Sequence, residues 1–567
     1  MPLSDQEWAE VSTELPQPTD AVIHQYLASR QALKDEEKKE RADHSFRQSL
    51  TPIARRACDI VAHIRDHERR TVWTPALEER LARDRPMYPG MMFSLAKETM
   101  ESTLLWKIVR RMPKGALLHA HLNAMVDVDY LLDLTLSTPG MHISSSAPLT
   151  SPSALTNASL SIRFRNPLAS VPSLYEESYV SNSYVPLTHA ADTFPSGGRA
   201  GFVAWFKSRC VLSSTDAAEQ HHGQDAIWKK FRSCFQVLGT LIPYEPIWRG
   251  FLRRLMSLLV ADGVYWAEIR FTWPMNYCRD GQETPETDYN HMFQVIDEEV
   301  AAFQASEQGK RFWGLRMIWT AVRSLDTRSI VENMDHCLAT KLAWPQLVAG
   351  YDLVGPEDDG RPLVDLLAEL FWFRKQCALE GVTIPFFFHA GETLGDGDST
   401  DDNLFDALLL GTRRLGHAFS LYKHPRLIQA VRDKRILVES CPISNEILRL
   451  TGSILQHPLP ALLARGVACA LCNDDPAILG QDTAGMTHDF WQALQGWENL
   501  GLAGLGSLAE NSVRWAAFED QSNDEWIGDI RAATMGSGVK AQRLKEWAVE
   551  WERFCLEIVE EYGEQWA

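Results

Sequence analysis

The feature that most constrains this chain is a set of eight short apolar runs spread from residue 115 to residue 472. They are Gly115–His121, Val264–Phe271, Trp313–Thr320, Leu347–Leu353, Ile384–His389, Arg414–Phe419, Ile436–Ser440 and Val467–Cys472. Runs this short, with little polar alternation, fit strands covered on both faces. The segments between them carry helical spacing, as in Met292–Gln304. Strands alternating with helices make a parallel sheet, and eight such units suggest closure into a TIM-type (β/α)8 barrel of the α/β class.

Such a barrel takes about 250 residues, and this chain has 567, so substantial additions are expected. Residues 1–110 read as a helical N-terminal extension, 111–535 as the barrel, and 536–567 as a C-terminal helix on its outside. Asp35–Arg47 is a run of mixed charge, which suits a solvated helix face. A long insertion of about residues 132–225 follows the first strand. Its stretch at 136–200 is rich in Ser, Pro, Thr and Asn with little periodicity, so it is expected to be irregular and partly mobile. Helical spacing returns from Asp225 to Leu259 through Trp228, Phe231, Phe235 and Leu238.

A net charge of −19 argues against nucleic acid as the main partner, because phosphate neutralisation needs clustered Lys and Arg. No apolar stretch is long enough to span a membrane. The polar, acidic start lacks the pattern of a secretory signal. The ten cysteines form no disulfide framework. A cytoplasmic location is therefore expected. Cys469 and Cys472 have CxxC spacing, but i and i+3 on a strand point to opposite faces, so both are read as packing residues.

Metal-capable groups gather at the C-terminal ends of the runs, where barrel enzymes keep their active sites. The first run ends in His119-Ala120-His121. Residues i and i+2 on a strand share a face, so both imidazoles can turn to one metal. The fifth run ends in His389-Ala390-Gly391-Glu392, the sixth in Arg414-Leu415-Gly416-His417, and the eighth leads into Asn473-Asp474-Asp475-Pro476. Each group alone has an ordinary reading as a hydrogen-bonded pair, a capped loop or a turn. Together at successive strand ends they point to a metal site built from His119, His121, His389 and Asp474. Nitrogen and carboxylate donors suit Zn²⁺, one per chain.

These motifs make the sequence similar to the adenosine deaminase superfamily, and most similar to its branch of adenosine deaminase-related growth factors. The matching segments are MPKGALLHAH at 112–121, YWAEIRF at 265–271, VAGYDLVGPEDDG at 348–360, FFFHAGET at 386–393, RLGHAF at 414–419, VESCPISNEIL at 438–448 and NDDPAILG at 473–480. The resemblance implies zinc-dependent deamination of adenosine or 2′-deoxyadenosine to the inosine product and ammonia. It implies that Glu392 gives a proton to N1 of the purine, and that His417 orients the attacking water and takes its proton. Asp475 would bond N7, the Gly355 N–H would reach N3, and Trp228 and Asn123 would lie near the ribose. It also suggests a homodimer.

Two positions depart from the family pattern. Relatives commonly carry an acidic residue just after HxH, where Leu122-Asn123 stands, and often a His where Val322 stands. Both lie near the expected 5′ end of the ribose, which leaves AMP or another 5′-modified adenosine as an alternative substrate. A non-enzymatic, metal-containing binding protein is the remaining alternative.

Overall fold

The computed structural model describes residues 2–80, 87–166, 173–213, 216, 223–273 and 275–566. Eleven strands are present among them: β1 Gly115–Leu117, β2 Met141–Ser145, β3 Leu160–Phe164, β4 Val185–Pro186, β5 Val264–Thr272, β6 Gly314–Val322, β7 Val348–Val354, β8 His389–Ala390, β9 Arg414–His417, β10 Leu437–Ser440 and β11 Cys469–Leu471. Parallel ladders run β1-β5-β6-β7 on one side and β8-β9-β10-β11 on the other. Single bridges between Tyr351 and Phe386 and between Ala120 and Asp474 join the two halves into a ring.

Every run expected to be a strand contributes to this barrel, but two ladders are shorter than the sequence suggests. The regular part of β1 stops at Leu117, and the chain continues extended through bridges of Ala120 to Asp474 and His121 to Arg270. The stretch before β8 pairs with β7 only at Tyr351–Phe386. Pro385 interrupts it, since proline has no N–H for a ladder, although its carbonyl still accepts from the Tyr351 N–H at 2.9 Å.

The N-terminal extension is helical as expected, through Ala21–Glu40, Pro52–Thr71, Phe93–Glu101 and Leu104–Arg111 among others. Residues 81–86 of this region lie outside the described residues. Pro52–Thr71 buries Ala54, Ala57, Ile60, Val61 and Ile64, an i, i+3, i+4 stripe, and contacts the C-terminal helix Val539–Tyr562 and the helix Gly501–Arg514.

The insertion differs from expectation. Strands β2, β3 and β4 form an antiparallel sheet in the order β3-β2-β4, followed by helices Leu187–Asp192 and Gly198–Cys210. The alternation that builds it is short: Leu160 and Ile162 are buried while Ser161 and Arg163 are not. Serine- and proline-rich flanks obscure that period. The parts at 167–172, 214–215 and 217–222 lie outside the described residues.

One buried acid ties the extension to the barrel. Glu446 lies in the short helix Pro442–Ile447 after β10. It accepts from the Phe93 N–H at 3.1 Å and has Gln492 Nε2 at 3.3 Å from both oxygens. Burial pushes its carboxyl up to about 8 from an ordinary 4.5. Between those values the folded chain keeps a proton that the unfolded chain releases, so stability falls as pH rises through that window. Glu446→Gln is expected to remove this dependence, gaining roughly 3 kcal/mol on wild type from about pH 5 to about pH 8 in urea titrations. Parallel pH profiles for the two proteins would refute it.

Candidate metal centre and active site

The site is set up by charges inside the barrel wall. Glu268 and Arg270 on β5, Asp352 on β7, Arg414 on β9 and Glu439 on β10 are all fully buried. They form an alternating ladder. Arg270 Nε donates to Asp352 Oδ2 at 2.8 Å and its Nη2 to Glu439 Oε2 at 2.7 Å. Arg414 pairs with Glu439 through Nε and with Glu268 through Nη2 at 2.7 Å. Burial opposes ionisation of Asp352 and Glu439, but His389 and Arg270 hold Asp352, and Arg270 and Arg414 hold Glu439, far below the usual carboxylate range.

Each of these anions orients a histidine. Asp352 Oδ2 is 2.7 Å from His389 Nδ1, and Glu439 Oε2 is 2.8 Å from His119 Nδ1. A carboxylate at Nδ1 fixes the ring and leaves Nε2 as the free lone pair, the usual outer partner of a metal-ligating histidine. His119 Nε2 and His121 Nε2 both lie 3.3 Å from Asp474 Oδ1. Burial lowers the proton affinity of His121, and takes that of His389 down to about 3, so both rings are neutral.

The structure thus brings together the four residues the sequence singles out. One ligand atom from each of His119, His121, His389 and Asp474 lies within 4.8 Å of the others. His119 Nε2 and Asp474 Oδ1 are buried with no hydrogen-bond partner. Orphaned buried donor atoms around one point are what a cation would satisfy, so the residues fit a metal. A second grouping replaces His121 and His389 with His417 and Cys441. It fits less well, because burial holds the Cys441 thiol well above its ordinary value and only the thiolate is a good ligand.

Glu392, His417 and Asp475 line the same cavity of about 540 Å³. Burial, then Asp474 and Glu357, push the Glu392 carboxyl well up, and burial, then Asp474 and Glu392, do the same to Asp475. Both are therefore biased towards the protonated form. Glu392 Oε1, Asp475 Oδ1 and His417 Nε2 have no hydrogen-bond partner. His417, Ala418 and Asp474 have φ of 59°, 44° and 56°, left-handed conformations that cost non-glycine residues roughly 1–3 kcal/mol each and gather at functional sites. Gly355, at φ 98°, Asn123, Trp228 and Val322 also line the cavity. Cys469 and Cys472 are buried.

Several supporting residues carry no role in the sequence reading. Glu357 accepts from the Gly391 and Glu392 N–H groups at 3.2 and 2.8 Å, and so holds the turn that carries Glu392. Arg270, Asp352 and Glu439 lie within quoted motifs. The signal that would have found them is a charge in the middle of an apolar strand, which is expensive unless paired.

Known proteins resemble this chain over most of its length. A family model described as adenosine deaminase matches residues 214–533. Adenosine deaminase of Lutzomyia longipalpis is 30% identical over 463 residues, covering 80% of this chain and 80% of that one. Adenosine deaminase 2 of Sus scrofa is 31% identical over 476 residues, covering 83% and 84%. The solved ADAL–IMP complex superposes with a TM-score of 0.50 at 15% identity, covering 79% of this chain and 99% of that one, which shows the shared barrel fold.

Removing the guanidinium at the centre of the ladder leaves two buried carboxylates short of their counter-charge. Arg270→Met is expected to lower the unfolding free energy by about 3–5 kcal/mol, measured as a shifted urea midpoint at constant slope. A shift equivalent to less than about 1 kcal/mol would mean the wall does not depend on the pair.

Proposed function

The chain belongs to the adenosine deaminase family, in its adenosine deaminase-related growth factor branch, and from that premise we propose that it hydrolyses adenosine or 2′-deoxyadenosine to the inosine product and ammonia with one zinc ion. It is an aminohydrolase of the adenosine deaminase type. The observation that carries the substrate reading is the convergence of unpartnered buried polar atoms of Glu392, His417, Asp474 and Asp475 on one cavity.

His119, His121, His389 and Asp474 are the proposed ligands, and their N and O donors suit zinc. A zinc ion held there would supply Lewis acidity and lower the pKa of water towards about 7. The residues of the chain do the rest. The protonated Glu392 donates to N1 of the purine, which makes the adjacent carbon electrophilic and gives the ring a place for the electron pair. His417 stands beside Glu392 and Asp474, at 3.5 and 3.7 Å, and orients the attacking water. N7 is an acceptor, so Asp475 must approach it carrying a proton, and its raised pKa supports that. The Gly355 N–H serves N3, and Trp228 and Asn123 flank the sugar.

Loss of adenine-type absorbance on incubating zinc-loaded protein with adenosine tests this reading. Conversion is expected, and Glu392→Gln should lower kcat by at least about 100-fold, the scale of a lost general acid, with metal content unchanged. Full activity in that variant would remove Glu392 from its role.

A 5′-anionic adenosine such as AMP is the second reading. Its specific support is Arg163 on β3, an exposed cation that lines the cavity. On this reading Arg163→Ala raises KM for AMP about two- to fivefold, the scale of one exposed charge contact, and leaves KM for adenosine unchanged. Equal effects on both substrates, or no AMP turnover in wild type, would exclude it.

A further inference from the structure

Three hydrogen bonds in series end on His417. The Leu459 N–H donates to His457 Nδ1 at 3.1 Å. His457 Nε2 lies 3.0 Å from Asn445 Oδ1, and Asn445 Nδ2 lies 3.1 Å from His417 Nδ1. Asn445, His457 and His417 are all buried.

The direction of this chain is fixed at its start. A backbone N–H can only donate, so His457 Nδ1 accepts and the ring proton of neutral His457 sits on Nε2. Burial keeps that ring neutral, with its pKa pushed down to about 3. His457 Nε2–H then needs an acceptor, which fixes Asn445 with its oxygen towards His457 and its NH₂ towards His417. Flipping the amide would set donor against donor. His417 Nδ1 has one lone pair, and the Asn445 N–H fills it.

We infer that His457 and Asn445 are positioning residues that hold His417 with its ring proton on Nε2. Two consequences follow for the site. First, His417 Nε2, which has no hydrogen-bond partner and lies 3.7 Å from Asp474 Oδ2, presents an N–H to the reacting space. His417 is then a donor that holds the attacking water by its oxygen and does not take its proton, contrary to the role the resemblance implies; that proton passes to the Asp474 carboxylate beside it. Second, His417 Nδ1 is 3.5 Å from Glu392 Oε1. With Nδ1 occupied by the Asn445 N–H, the imidazole offers Glu392 no free lone pair. The assignment deepens the deaminase reading and rests on it for its kinetic arm only.

The test uses metal-loaded full-length protein. Asn445→Asp keeps the shape and replaces the donor with an acceptor, which turns His417 to the Nδ1–H form. It should lower kcat about 10- to 100-fold, the scale for lost outer partners, with KM and bound zinc unchanged. His457→Leu should lose activity in the same way, and His457→Gln, which restores an N–H donor to Asn445, should recover most of it. Two-bond ¹H–¹⁵N spectra of ¹⁵N-histidine-labelled protein, with the His417 signals assigned by their loss in His417→Ala, should report Nε2–H in the native chain. An Nδ1–H signal there, or Asn445→Asp with native kcat, would overturn the inference. Absence of turnover on every adenosine tested would instead count against the deaminase reading, and the spectra would still decide the tautomer.

Discussion

The Arg270 guanidinium is the contact on which the rest of the site depends. It sits on β5, with no exposure to solvent, and reaches Asp352 on β7 and Glu439 on β10. Two further N–H groups go to the Leu118 and Phe387 carbonyls at 3.0 Å. Those carbonyls belong to the segments that end in His119 and His389. One side chain therefore ties both histidine-bearing segments and both of the carboxylates that orient those histidines. Buried ion pairs of this kind add little net stability, because desolvation offsets the attraction. What they supply here is geometry: neither imidazole can turn without breaking a charge-assisted bond.

The same wall explains how the open end of the barrel tolerates so much unsatisfied polarity. Below, every charge of the ladder has its partner. Above, Glu392, His417, Asp474 and Asp475 carry unpartnered atoms, and His417, Ala418 and Asp474 adopt left-handed backbone. Such groups persist only where surrounding structure over-determines them. The parallel ladders, the Arg270 and Arg414 network and the Glu357 anchor under Gly391 and Glu392 do so. The instability is local and faces the cavity.

The barrel and the metal-capable residues were legible in the sequence because their signals are local. An apolar run ending in HxH, HAGE or NDDP declares both a strand and what stands at its end. The ladder was less legible, since the meaning of Glu439 depends on Arg270, 169 residues away. Asn445 and His457 were silent for the same reason: each is an ordinary polar residue until the fold places one against the other. The insertion failed differently. Its sheet rests on a few alternating residues in β3, too short a period to stand out from Ser, Pro and Thr around them, so the segment read as irregular where β2, β3 and β4 pair.

The protonation pattern of the cavity shows why these layers must be arranged in this order. Asp474 stands among the imidazoles of His119, His121 and His417, at 3.3, 3.3 and 3.7 Å, and its carboxyl is lowered against burial. Burial first, and that carboxylate second, raise Glu392 and Asp475. A cation beside Asp474 would weaken that repulsion, but burial, the larger cause at both acids, does not depend on it. Glu357, a second carboxylate under Glu392, acts in the same direction as Asp474, and it is joined to the Glu392 backbone rather than to the metal-binding side. Burial and the Glu357 turn thus bias Glu392 towards its protonated form from the side away from the metal-binding residues.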